Sequence, residues 1–184
     1  MKLQTRRLIL RQPRMKDAKD LIDNINNLNV SKYLLVVPYP YTVKDARWWI
    51  NHCKEKERER PRTSYGFNIE LKSERRIIGG IGISKIDARQ GTADIGYWIG
   101  EDYWRKGIVT EAATRLIDFG FKKLKLRRIQ AAIFVENEAS QGLARSLGFQ
   151  YEGRLRKACK AKSTGKIHDE FIYALLRKDW MRKR

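Results

Sequence analysis

Cysteine, histidine and carboxylate are scarce in these 184 residues, and each shortage closes a class of function. The two cysteines, Cys53 and Cys159, lie far apart and form no metal-type spacing, which excludes a disulfide scaffold and a zinc site and points to a reducing, cytoplasmic compartment. The two histidines, His52 and His168, have no nucleophile or second metal ligand beside them and read as bystanders. No apolar run reaches membrane length, and Leu8-Ile9-Leu10, despite its basic flanks, is too short for a signal-peptide core. There is no internal repeat or low-complexity linker, so residues 1–184 read as one domain with a continuous core. Acidic residues number 21 against 40 Lys and Arg, a formal charge of +19. That imbalance speaks either of anionic partners or of a merely well-solvated surface, and not of fold.

What is present is a succession of short periodic segments. Leu8 and Leu10 between Arg7 and Arg11 alternate as a half-buried strand that Pro13 ends. Asp17 is placed to cap a helix whose apolar positions are Ala18, Leu21, Ile22 and Ile25. The prolines of Val36-Val37-Pro38-Tyr39-Pro40-Tyr41 restrict a loop that leaves aromatic side chains projecting. Thr42 with Asp45 forms a capping box ahead of the stripe Ala46, Trp49, Ile50 and Cys53, and a charged run follows to Arg62. Strands are expected over 65–71, 77–83, 93–99 and 128–135. Helices are expected over 111–125 and, capped by Asn137 and stopped by Gly148, over 138–147. Two last strands, 151–153 and 168–176, are expected to flank a basic loop.

The most informative stretch runs from Tyr97 to Arg115. A strand ends in Trp98-Ile99, a short loop carries Arg105, Lys106 and Gly107, and a helix opens directly behind it. Unpaired helix-start N–H groups, the positive dipole end and two cations converge there, as a phosphate requires. The loop is too short for a Gly-x-x-x-x-Gly-Lys-Ser/Thr motif, and no Gly-x-Gly-x-x-Gly lies nearby, so a different phosphate-bearing cofactor is indicated.

The pieces Thr5 to Arg11, Tyr39-Pro40-Tyr41-Thr42, Ile77 to Gly82, Ala93 to Ile99, Tyr103 to Ala112, Asn137-Glu138-Ala139-Ser140, Leu147-Gly148-Phe149 and Glu152-Gly153 together resemble the GNAT superfamily of acetyl-CoA-dependent N-acetyltransferases. The branch they resemble most is that of the ribosomal-protein alanine N-acetyltransferases. The family signature maps onto Trp104-Arg105-Lys106-Gly107-Ile108-Val109, with two departures: Trp104 replaces a polar residue, and Val109 stands where a small residue is usual. The resemblance implies an α/β (α+β) domain with a mixed, splayed central sheet of about seven strands and helices on both faces. It also implies acetyl-CoA as cosubstrate, no metal, no membrane, and a monomer or homodimer. On the same ground, the backbone of Trp98 and Ile99 pairs with the pantetheine arm, and the N–H groups of Arg105, Lys106, Gly107, Ile108, Val109 and Thr110 hold the pyrophosphate. Asn137 is implied to bond the pantetheine and Arg145 to reach the adenosine 3′-phosphate.

Acetyl transfer to an amine needs a neutral amine, a polarised carbonyl and a thiolate that is protonated as it leaves. A model α-amine has a pKa of about 7.7–8.0 and a lysine about 10.4, so a protein N-terminus asks less of a base. By the resemblance Asp94 is the candidate base, against a plain solvated strand residue. Strand parity groups it with Gly96 and Trp98 unless a bulge near Trp98 shifts the register. By the same resemblance Ser140 is the candidate acid, against a polar first-turn residue, and Glu111 reads as a dipole partner. Tyr33, Tyr39, Tyr41 and Trp48 are candidates for the acceptor wall, with core packing the alternative, above all for Trp49. The loop cations Arg154, Arg156, Lys157, Lys160, Lys162 and Lys166 are suited to an acidic protein segment or nearby RNA. The leading reading is an enzyme acetylating the α-amine of a protein, ribosomal proteins included. A polyamine or aminoglycoside acetyltransferase and a non-catalytic basic nucleic-acid-binding module, favoured by the terminal run Arg177 to Arg184, are the alternatives.

Overall fold

The computed structural model describes residues 1–182, so Lys183 and Arg184 of the terminal basic run lie outside the described residues. Eight strands form one sheet: β1 (Lys2–Gln4), β2 (Leu8–Arg11), β3 (Tyr65–Leu71), β4 (Arg76–Asp87), β5 (Thr92–Ile99), β6 (Arg128–Phe134), β7 (Gln150–Lys160) and β8 (Ile167–Leu176). Their spatial order is β1-β2-β3-β4-β5-β6-β8-β7. The helices are α1 (Ala18–Ile25), α2 (Leu28–Ser31), α3 (Val43–Arg58), α4 (Ile108–Lys122), α5 (Glu138–Ser146) and α6 (Arg177–Arg182).

Neighbouring residues of β4 show why both faces are covered. Ile78, Ile81 and Ile83 join the large core with Leu116, Ile117 and Phe121 of α4, whereas Ile77 packs with Leu21 of α1 and Ile50 of α3. Ile77 and Ile78 point to opposite faces, and the bulge where Glu70 pairs with Ile77 and Ile69 with Gly79 brings Ile78 onto the face of Ile81 and Ile83, so a strand apolar on both faces must be sandwiched.

All strand pairs are antiparallel except β5 with β6, the two strands that α4 connects. That parallel ladder is short: Thr92 faces Arg128, Ala93 faces Ile129, Asp94 faces Gln130, and there it stops. Both strands continue past this point, β5 to Ile99 and β6 to Phe134, with no further pairing between them.

Three sequence expectations change. The sheet gains β1, whose three residues bury only Leu3 and so carry no readable alternation. The stretch read as a basic loop is mostly strand, because β7 runs on to Lys160 and leaves only a tight turn before β8. Its residues are almost all exposed, and the register slips between Leu155 and Cys159 with Lys157 at φ 48°. A charged, bulged edge strand shows no period of two. Finally, Asp17 does not cap α1 with its side chain. Met15–Asp17 is a 3-10 turn, and the Asp17 carboxylate turns inward to accept from Arg11 Nη1 at 2.7 Å and Nη2 at 2.8 Å.

Arg11 also donates to Glu70 at 2.5 Å, and Asp17 accepts from the Arg14 N–H and from Asn68. Burial pushes the Asp17 carboxyl up, but these donors, the Arg11 guanidinium first, outweigh it and hold the group below the usual carboxylate range. A carboxyl depressed by folding stabilises the protein above its unfolded pKa, and that contribution is lost as pH falls through the folded value. Asp17→Asn is therefore expected to cost about 1–3 kcal/mol at neutral pH by removing one of the two carboxylate partners of Arg11, Glu70 remaining. Urea denaturation should also find the variant's stability less dependent on pH below about 4 than the parent's.

Candidate active site

The phosphate loop is shaped by its backbone. The Gly100 N–H donates to the Ile78 carbonyl, residues Glu101–Tyr103 make a 3-10 turn, and the Trp104 indole donates to the Ile99 carbonyl at 3.1 Å. Arg105 then adopts φ 59° and Gly107 φ 67°, after which α4 begins. Alternating left-handed residues before a helix turn consecutive N–H groups toward one side and form an anion-binding concavity. Among the described residues, none of the main-chain N–H groups of 105–110 has a hydrogen-bond acceptor. Arg105, Lys106 and Gly107 are exposed, Ile108 is buried, and Val109 packs against the main core, so its branch leaves the concavity open. Free amides, a dipole end and two exposed cations fit a diphosphate.

Glu111 does more than complement the dipole. It accepts from Thr5 Oγ1 at 2.5 Å, the Arg7 N–H at 2.8 Å and Arg7 Nε at 2.6 Å, and Arg7 in turn donates to the Lys106 carbonyl at 3.0 Å. The turn between β1 and β2 thus holds the loop from outside.

Behind the loop lies the opening between β5 and β6. Trp98 sits across from Gly80, and Ile99 from Gly79. A Cβ on Gly79 would lie 2.5 Å from the Trp98 carbonyl, and one on Gly80 2.4 Å from Trp98 Nε1. The two glycines let the Trp98 backbone and indole lie flat on β4. On the β6 side, Asn137 caps α5 by accepting from the Ser140 N–H at 3.1 Å, which occupies its carbonyl oxygen. Ser140 follows in the first turn, and the Tyr97 hydroxyl reaches it at 2.9 Å from β5. Tyr97 was not singled out from the sequence. The signal was there: it shares a parity with buried Ala93, Ile95 and Ile99, and a phenol in such a row needs a polar partner.

The β4–β5 register is unbroken from Gly79 to Ser84 and irregular only beyond, between Ser84 and Asp87. No bulge displaces Trp98, so Asp94, Gly96 and Trp98 share one face while Tyr97 turns to the other with Ser140. Asp94 is mostly buried and ion-paired at 2.8 Å with Lys85, itself 80% exposed. The aromatic candidates divide. Tyr39 and Trp48 are exposed, Trp48 stacking on His52, and Tyr33 is half-buried under Lys32. Tyr41 instead packs on Ile25, Val30 and Ala46, because Asn26 takes its N–H and draws the loop inward. Burial raises its hydroxyl well above the ordinary tyrosine range. Trp49 packs beside Leu21, Ile50 and Ile77. Arg145 is exposed and donates to the Tyr173 hydroxyl at 3.0 Å. His168 stacks on Phe134 at 4.4 Å with Nδ1 3.2 Å from Glu136.

Comparison with known proteins bears directly on this geometry. The acetyltransferase (GNAT) domain family matches residues 7–150. The uncharacterized N-acetyltransferase p20 of Bacillus licheniformis is 37% identical over 178 residues, 97% of this chain and 97% of its own. The ribosomal-protein-serine acetyltransferase of Escherichia coli is 35% identical over 94 residues, 51% of this chain and 52% of its own. Among solved structures, the microcin C7 self immunity acetyltransferase MccE in complex with acetyl-CoA and AMP superposes with a TM-score of 0.80 at 28% identity, covering 94% of this chain and 93% of that one. The family match, and not the split sheet or the free-amide loop alone, defines the class as an acyltransferase. The chain belongs to the GNAT acetyltransferases: it is an N-acetyltransferase with acetyl-CoA as cosubstrate.

The close approach at Gly79 makes a sharp prediction. Gly79→Ala sets a methyl against backbone and is expected to cost about 1–3 kcal/mol by chemical denaturation. Gly80→Ala meets only the indole and should chiefly alter tryptophan fluorescence.

Proposed function

We propose that this enzyme transfers acetyl from acetyl-CoA directly to the N-terminal α-amine of a protein, ribosomal proteins being the leading class. The observation that carries the donor half is the run of acceptor-free amides over 105–110 at the mouth of the β5–β6 opening. Acetyl-CoA supplies an activated acyl carbon and a thiolate leaving group. Arg105 and Lys106 add charge to the amides of Gly107, Ile108, Val109 and Thr110 in holding the pyrophosphate. The backbone of Trp98 and Ile99, beyond the last β5–β6 pair, offers an edge for the pantetheine arm. Asn137 keeps its amide NH2 for the same arm, since its oxygen is spent on the cap. Arg145 is the candidate for the 3′-phosphate, reaching it by exchanging its bond to Tyr173.

The acceptor half rests on the two faces of β5. Asp94 lies on the Trp98 face and Ser140 bonds Tyr97 on the other, so a base and an acid flank the opening from opposite sides. Asp94, ion-paired with Lys85, is the candidate base, and an α-amine asks less of any base than a lysine does. Tyr33, Tyr39 and Trp48 form the acceptor wall, with Tyr41 supporting it from behind. The family resemblance of the E. coli ribosomal-protein-serine acetyltransferase over half the chain supports a protein acceptor. The exposed cations of β7 and the turn after it suit an acidic segment of that protein or RNA beside it, and Ser163 in that turn donates to the Ser31 carbonyl of α2 near the aromatic wall. Two free thiols, Cys53 and Cys159, and the absence among the described residues of a helix able to cross a membrane accord with a cytoplasmic setting.

Turnover is expected with peptides carrying a free N-terminus and to vary with the first residue, while polyamines remain poor acceptors. Assay of both sets at matched concentration checks this, and equal or better polyamine turnover would refute the acceptor assignment. Neutralising Arg156, Lys160 and Lys166 together should raise KM for an acidic peptide several-fold at low salt and little at high salt. Steady-state kinetics at two ionic strengths is the measurement.

A further inference from the structure

One part-buried hydroxyl pair spans the opening in the sheet. Tyr97 comes from β5 beyond its last pair with β6, and Ser140 comes from α5, which follows β6. Their oxygens lie 2.9 Å apart and form a polar bridge between the two halves where the ladder has already ended.

The direction of that bond follows from the acceptors on offer. The Tyr97 ring is packed against the main core, and its oxygen faces Ser140 Oγ at 2.9 Å and the Ser140 carbonyl at 3.4 Å. The carbonyl belongs to the first turn of α5 and is directed along the helix ladder, so the hydroxyl is the better acceptor for the phenol proton. A phenol is also a stronger donor than an aliphatic alcohol. Burial raises the Tyr97 hydroxyl above its ordinary value, Ser140 lowering it only in part, so Tyr97 stays protonated and donates across the working pH range. A serine hydroxyl carries one hydrogen; once its oxygen accepts from Tyr97, that hydrogen is directed away from the phenol.

We propose that Tyr97 is the positioning residue of the acetyl transfer: by donating to Ser140 Oγ it turns the serine's own proton into the β5–β6 opening, toward the thioester sulfur. The inference rests on the proposed seat of the coenzyme arm between these strands. In the step it serves, the amine nitrogen forms a bond to the acyl carbon, the carbon–sulfur bond breaks, and its electron pair goes to sulfur. The amine releases one proton to Asp94 or water, and the thiolate takes one up from water, so Tyr97 and Ser140 end unchanged. Ser140 contributes a hydrogen bond to the sulfur as charge gathers there, and Tyr97 keeps that bond aimed.

The test reads the thiol and not the turnover. Coenzyme A is bound to the protein, with affinity measured by calorimetry, and its thiol is titrated by thiolate absorbance. The bound thiol is expected to titrate about one pH unit higher in Tyr97→Phe than in the parent, at unchanged coenzyme affinity. Ser140→Ala should give the same rise, and the double variant no more than either alone, because the two hydroxyls act as one device. Loss of packing alone would weaken binding without moving the thiol. Equal titration in parent and Tyr97→Phe, with coenzyme bound, overturns the inference alone. No binding of coenzyme A to the parent overturns the seat of the coenzyme and the inference with it. Should Tyr97→Phe not fold, 3-fluorotyrosine at position 97 replaces it: its stronger donation should lower the bound thiol's titration, and an unchanged value counts against the proposal.

Discussion

The parallel ladder between β5 and β6 closes only three residue pairs before the strands part. Every backbone donor and acceptor that the ladder leaves open must find another partner or face a ligand. On its other edge β5 stays paired with β4 through Ile99, where Gly79 and Gly80 allow a close approach. The free edge that remains faces β6, and at its far end the loop presents a second unsatisfied set, the amides of residues 105–110. On the seat proposed above, one long ligand with a peptide-like arm and a diphosphate would satisfy both sets at once. The architecture and the chemistry are therefore two results of one omission in the sheet.

Some backbone strain also falls at this place. Arg105 holds a left-handed conformation that costs a residue with a side chain about 1–2 kcal/mol. It persists because the loop is fixed on three sides: Trp104 on the Ile99 carbonyl, Arg7 on the Lys106 carbonyl, and Ile108 and Val109 in the core. A loop fixed in this way meets an anion already formed, and ligand binding then spends little on ordering it.

Much of this was legible in the residues. The capping box at Thr42 and Asp45, the Asn137 cap, the amphipathic α4 and the glycine-rich β4 each carry a local signature, and the structure has all of them. The phosphate loop was readable because strand, cations, glycine and helix are contiguous. What escaped were features made between distant segments. Asp17 reads as a cap until Arg11 is seen beside it, β7 reads as a loop because an exposed edge needs no apolar alternation, and Tyr97 reads as a strand aromatic until α5 brings Ser140 to it. Tyr41 reads as a projecting aromatic until Asn26 pulls it in. The 3.6- and 2-residue periods report which face is buried, not which partner waits there.

The grip of Thr5 and Arg7 on Glu111 has a further meaning for how the chain assembles. Segments separated by more than half the chain must meet before the coenzyme loop acquires its outer wall, so the loop depends on contacts of long sequence separation that local folding does not supply. A change in the turn between β1 and β2 would reach the loop of residues 105–110 through Glu111 and the Lys106 carbonyl.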